Sequence, residues 1–121
     1  MATHYLTNYL RTYRKRLGLS EDEIAFLLEC KSGAKVSRHE HFGREPSLRT
    51  ALAYEAIFQV PVRELFAGIY QTVEQNTLKQ IRTLSEKLQA SDPPHPRHQR
   101  RRAQVEAALL TRLINIDHKH E

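Results

Sequence analysis

The chain has 121 residues, 40% of them apolar, with one cysteine, no tryptophan and a formal net charge of +5. That is enough for one small core and an appendage, and it excludes an intrachain disulfide or a cysteine-built metal cluster. The positive balance points to an acidic partner, while the lone Cys30, the lack of a signal-peptide core in MATHYLTNYLRTYRKR and the lack of a long apolar run predict a soluble, cytoplasmic protein with no membrane contact.

The first segment, LTNYLRTYRKRL, spaces Leu6, Tyr9, Leu10, Tyr13 and Leu17 three or four residues apart. Arg11, Arg14, Lys15 and Arg16 fill most of the other face, which predicts an amphipathic helix ended by Gly18. Ser20 and Glu23 have capping-box spacing at the start of a second helix. Its first turn is acidic, as the helix dipole favours, and Ile24, Leu27 and Leu28 form its expected buried stripe. KSGAKVSRHE, residues 31–40, predicts a short third helix over roughly 33–41 with Ser32 as N-cap. A loop, FGREP, leads to a fourth helix capped by Ser47 and carrying Leu48, Leu52 and Ala56, with Ala51 and Ile57 alongside and Glu55 interrupting the pattern. Pro61 opens a fifth, VRELFAG, with Val62, Leu65 and Phe66 inward. No stretch alternates with period two, so no sheet is expected.

Beyond Gly68 the character changes. Residues 1–68 hold ten Lys/Arg against eight Asp/Glu, and residues 69–121 hold nine against six. Ile69, Val73, Thr77, Ile81, Leu84 and Leu88 predict one long helix ending near Ala90, where SDPPHP stops it. A Pro/Arg-rich linker over 91–102 contains the basic run RHQRRR, which suits anionic partners or simple solvation. Val105, Ala108, Leu109, Leu113 and Ile116 then mark a last helix, with Leu110 and Ile114 widening its apolar face.

Five short helices with a short, cationic third one suggest a helix-turn-helix DNA reader. LRTYRKRLGLSEDEIAFLL, KVSRHE, REPSLRTALAYEAIF and VPVRELF, in that order over about residues 6–67, together resemble the XRE family of phage-repressor-like helix-turn-helix regulators. The resemblance implies an all-α architecture with a five-helix DNA-binding domain at 1–68, whose third helix enters the major groove of double-stranded DNA. The two amphipathic helices of 69–121 lie outside the family's common core. The implied activity is sequence-specific transcription regulation in a prokaryote, by a repressor that binds a two-fold operator as a homodimer.

At 100° per residue, with Val36 facing inward, Glu40 points nearly the same way. Ala34, Arg38 and His41 point outward, with Lys35 and Ser37 on the flanks, and these five are the candidate base readers. Arg38 can pair with guanine O6 and N7, and Ala34 can touch a thymine methyl. Lys35 and Ser37 suit either bases or phosphates. Lys31, Ser32, Arg44 and Arg49 flank the third helix and are assigned to phosphates. For Glu40 the resemblance implies a structural ion pair with Arg14 in place of catalysis. His39 is expected on a half-buried flank, and Cys30 between helices two and three. Cys30, His39 and His41 match no closed zinc spacing. With no Gly-rich phosphate loop, nucleophile elbow or clustered carboxylates, no catalytic residue, metal or cofactor is expected.

The chain departs from the family pattern in four places. Counting back from Val36 to the end of the second helix gives one residue more than the commonest form, so the turn is longer or the third helix begins one residue earlier. Glu29 stands at the usual glycine position, which predicts backbone strain. Glu21 replaces a frequent glutamine, and a carboxylate there repels DNA. Gly33 and Ala34 open the third helix without side chains long enough to reach bases. In the C-terminal extension, Val73, Ile81, Leu84, Leu88, Leu109 and Leu113 are the expected homodimer contacts. Two alternatives stand beside that reading: packing onto residues 1–68, and binding of a different protein, which would make the chain an antitoxin-like or adaptor module.

Overall fold

The computed structural model describes residues 5–41, 44–90 and 96–119. They form seven helices and, among the described residues, no strand: α1 (Leu10–Leu17), α2 (Glu21–Leu27), α3 (Gly33–Glu40), α4 (Leu48–Phe58), α5 (Val62–Leu65), α6 (Ala67–Ala90) and α7 (Pro96–Lys119). The protein is all-α. It divides into two compact units, Met1–Gln71 and Thr72–Glu121, with the boundary inside α6.

In the first unit α1 begins at Leu10, not at Leu6 as the apolar spacing suggests. The preceding residues are held by backbone bonds elsewhere. Gly68 donates its N–H to the Leu6 carbonyl at 2.9 Å, and Tyr9 donates to the Leu65 carbonyl at 2.7 Å. This approach requires glycine, because a Cβ on Gly68 would lie 2.5 Å from the Leu6 oxygen. Leu6 is therefore exposed, and Asn8 Oδ1 accepts the Leu10 N–H at 3.1 Å as α1 starts. Gly18, in the left-handed region, ends α1.

Both halves of the capping box form at α2. The Glu23 N–H reaches Ser20 Oγ at 3.0 Å, and the Ser20 N–H reaches Glu23 Oε1 at 2.9 Å. These bonds hold the Glu23 carboxyl below its ordinary pKa. The buried face of α2 differs from expectation. Ile24 and Ala25 are buried, Leu28 is half-buried, and Leu27 and Phe26 are exposed. With seven residues packed mainly on α3, the helix buries only what that one neighbour covers. Glu29 follows with φ 60°, the conformation expected at the glycine position, at a cost of about 1 kcal/mol. Cys30 is half-buried against the core.

The α4 stripe also shifts. Ala51, Tyr54 and Phe58 are buried, while Leu48, Leu52 and Ala56 are exposed. Aromatic packing selects this face: Tyr54 stacks on Phe58 with centroids 6.0 Å apart and meets Phe66 edge-on at 6.4 Å. Glu55, which interrupts the apolar pattern, accepts the Val62 N–H at 2.7 Å and so caps α5. Ser47 caps α4 as expected. The result is one core to which five helices each give a fully buried side chain: Leu10, Ile24, Val36, Tyr54 and Leu65, all at 0% exposure. Burying an apolar side chain of this kind contributes roughly 1.5–3 kcal/mol.

The second unit is built differently. Along its part of α6, Glu74 and Ser85 are buried and Leu78, Ile81, Thr83 and Leu88 are half-buried. Val73 and Leu84, expected in the apolar seam, are 54% and 44% exposed. On α7, Val105, Leu109 and Leu113 are half-buried, and Leu110 and Ile114 are exposed. Residues 96–102, expected in the linker, are helical. Proline suits the first helical position and the following Arg and Gln residues favour helix. Linker residues 91–95, and Phe42 and Gly43 of the FGREP loop, lie outside the described residues. No helix among the described residues is long and apolar enough to cross a membrane.

Candidate nucleic-acid interface

The two faces of α3 are chemically distinct. Val36, His39 and Glu40 are buried, at 0%, 1% and 5% exposure. Ala34, Arg38 and His41 are exposed, and Lys35 and Ser37 are half-buried between them. Lys31, Ser32, Arg44 and Arg49 are exposed on the segments either side. The spacing of the ten-residue stretch therefore sorts its side chains as the helical period requires, except that His39 lies deeper than a half-buried flank.

Three side chains from other elements fix α3 in place. At its start Ser32 makes no side-chain capping bond. Asp22 of α2 takes that role, its Oδ1 accepting the Gly33 N–H at 2.8 Å. A Cβ on Gly33 would fall 2.6 Å from this oxygen and 3.0 Å from the α2 backbone, so only glycine lets the two helices approach this closely. At the other end Asn8 Nδ2 donates to the His39 carbonyl at 2.8 Å. Arg14 of α1 then grips Glu40 with two bonds, Nε to Oε2 at 2.6 Å and Nη2 to Oε1 at 3.1 Å, while its Nη1 donates to the Leu19 carbonyl at 2.9 Å. The Glu40 side chain is 1% exposed and that of Arg14 13%. The hydrogen bond to Glu40 raises the Arg14 pKa, burial opposes it, and the charges of Glu40 and Glu21 add to it.

His39 seats the same helix on α4, its Nδ1 sharing a hydrogen bond of 2.9 Å with the Tyr54 hydroxyl. Burial pushes the imidazole pKa below 6.5, and the charges of Lys35, Arg44 and Arg38 push it the same way. Burial likewise pushes the Tyr54 hydroxyl upward, reinforced by Glu40, Cys30 and Glu21. Both rings are thus neutral at physiological pH. The His41 ring lies on the exposed side, where its Nδ1–H donates to the Ser37 carbonyl at 2.8 Å.

Glu21, the departure expected to repel DNA, turns inward. Its Oε2 is buried and has no hydrogen-bond partner, and its charge acts on Arg14 and Tyr54. The sequence reading did not single out Asn8, Asp22 or Tyr54. Asn8 carried a signal, since asparagine is a strong helix starter; the other two become meaningful only through their partners in space. The expected dimer contacts all lie in the second unit, with Val73 and Leu84 exposed and Ile81, Leu88, Leu109 and Leu113 half-buried. Among the described residues no three His, Cys, Asp or Glu side chains are grouped to hold a metal.

No protein-family model, curated protein or solved structure matches this chain. The functional reading rests on the arrangement of its own residues.

Proposed function

We propose that this protein is a sequence-specific DNA-binding transcriptional regulator of the phage-repressor-like helix-turn-helix type, acting as a repressor and as a homodimer on a two-fold operator. The observation that carries this reading is the division of α3, with Val36, His39 and Glu40 buried against the core and Ala34, Arg38 and His41 exposed. A short helix seated on its neighbours by one face and presenting cationic and polar groups on the other suits the major groove. Ala34, Lys35, Ser37, Arg38 and His41 face base edges in this arrangement, and Lys31, Ser32, Arg44 and Arg49 meet phosphates. The uncovered Val73, Leu84, Leu110 and Ile114 support a second copy as the cover of the C-terminal helices.

Selection of bound duplexes from random DNA, followed by Arg38→Ala, tests the reading. The substitution is expected to cost about 1–3 kcal/mol and to relax preference at one base pair. Unchanged affinity and preference would reject Arg38 as a base reader. Absence of any selected sequence would reject the function. Isolation of a stoichiometric complex with a different protein would favour the adaptor reading.

A further inference from the structure

The four cations of α1 have different surroundings. Arg14 is committed to Glu40, and the Arg16 guanidinium lies 5.1 Å from the centre of the Tyr13 ring. Arg11 and Lys15 are exposed and, among the described residues, form neither an ion pair nor a side-chain hydrogen bond. Four residues apart on one helix, they share a face. That face borders a groove of about 400 Å³, lined also by Leu6, Asn8, Thr12, Glu40 and His41. The one carboxylate in this lining is already neutralised, since both oxygens of Glu40 accept from Arg14. His41 contributes an exposed ring whose Nδ1–H is already bonded to the Ser37 carbonyl. A guanidinium, an ammonium and the Thr12 hydroxyl thus border one concave site with no uncompensated negative charge in its lining.

We infer that this groove between α1 and the end of α3 binds a phosphate group. A carboxylate has two oxygens to offer these donors, whereas a phosphate has more acceptor positions and more charge. The group can come from two sources, a free phosphate-bearing small molecule or the DNA backbone. The second source rests on the function proposed above; the first does not. A ligand seated here touches His41 and the wall formed by Glu40, so it bears directly on the helix proposed to read bases.

The test uses the full chain and the double substitution Arg11→Gln/Lys15→Gln, both exposed positions, with a circular-dichroism melt confirming an unchanged fold. In the first arm, inorganic phosphate is titrated while NMR follows the His41 ring and the Arg11 side chain. Saturable shifts, absent with chloride at equal ionic strength and lost in the double variant, are expected for a free phosphate ligand. In the second arm, duplex affinity is measured against salt. Two lost backbone contacts would flatten the slope of log K against log salt by about 2. A response in either arm supports the site and identifies its source. No saturable phosphate response together with an unchanged slope overturns it, even if DNA binding through Arg38 is intact. If no duplex binds at all, the proposed function fails and the phosphate titration alone decides the groove.

Discussion

The two units of this protein differ in what they bury more than in what they leave exposed. In Met1–Gln71, five helices each place one side chain at zero exposure, and the buried Glu40 pairs with Arg14, while Phe26 and Leu48 stay 80% and 74% exposed. In Thr72–Glu121 the buried positions of α6 are Glu74 and Ser85, while Val73 and Leu84, and Leu110 and Ile114 on α7, stay 44–55% exposed. The first unit holds a core of its own within one chain. On the proposed function, the regularly spaced apolar residues of the second unit that face water are covered by a second copy.

The largest expected effect tests the first half of this contrast. Glu40→Ala strands the Arg14 guanidinium and should lower stability by about 3–5 kcal/mol, read as a fall in Tm or denaturant midpoint. An unchanged melt would show that the interior of the first unit does not depend on this pair. Next, on the proposed homodimer, Val73→Asp with Leu84→Asp should abolish dimers in light scattering, at a cost of about 1.5–3 kcal/mol per side chain buried between copies. The Met1–Gln71 melting transition should not move. A chain that remains dimeric would erase the contrast. A smaller loss, about 1 kcal/mol, is expected for Glu55→Ala, which removes the cap of α5; chemical denaturation resolves it.

The smallest effect concerns pH. His39 has a pKa lowered by burial, so the unfolded chain binds a proton more readily than the folded one. Its contribution to stability is complete above the unfolded value of 6.5 and is lost as pH falls below that and through the lower folded value. His39→Gln should reduce the acid-side loss measured by denaturation across this range. An identical pH profile would remove His39 from the account.

What the sequence made legible was chiefly local. Ser20 and Glu23 stand three residues apart and cap each other, Gly18 ends its helix, and the α3 faces follow from one periodicity. The Arg14–Glu40 pair spans 26 residues and was expected only through a family resemblance. Bonds between distant side chains and backbone were not legible. Asn8 meets His39 across 31 positions, and Asp22 meets Gly33 across 11. Where a helix carries two overlapping apolar stripes, periodicity could not choose between them. On α4 the Tyr54–Phe58–Phe66 packing chose Ala51, Tyr54 and Phe58 over Leu48 and Leu52. On α6 the polar Glu74 and Ser85 took the inner positions, which no hydropathy pattern indicates.

The anchoring of α3 carries a consequence for how such a protein can change. Asp22, Asn8 and Arg14 hold the helix by its first N–H, by the carbonyl of His39 and by the side chain of Glu40, and none of these bonds uses an outward side chain. Ala34 and Arg38 are thus free to be exchanged while the helix keeps its place. On the proposed function, a change of operator then requires no change of scaffold. A lineage or a laboratory library could explore new target sequences at these positions while every variant still folds.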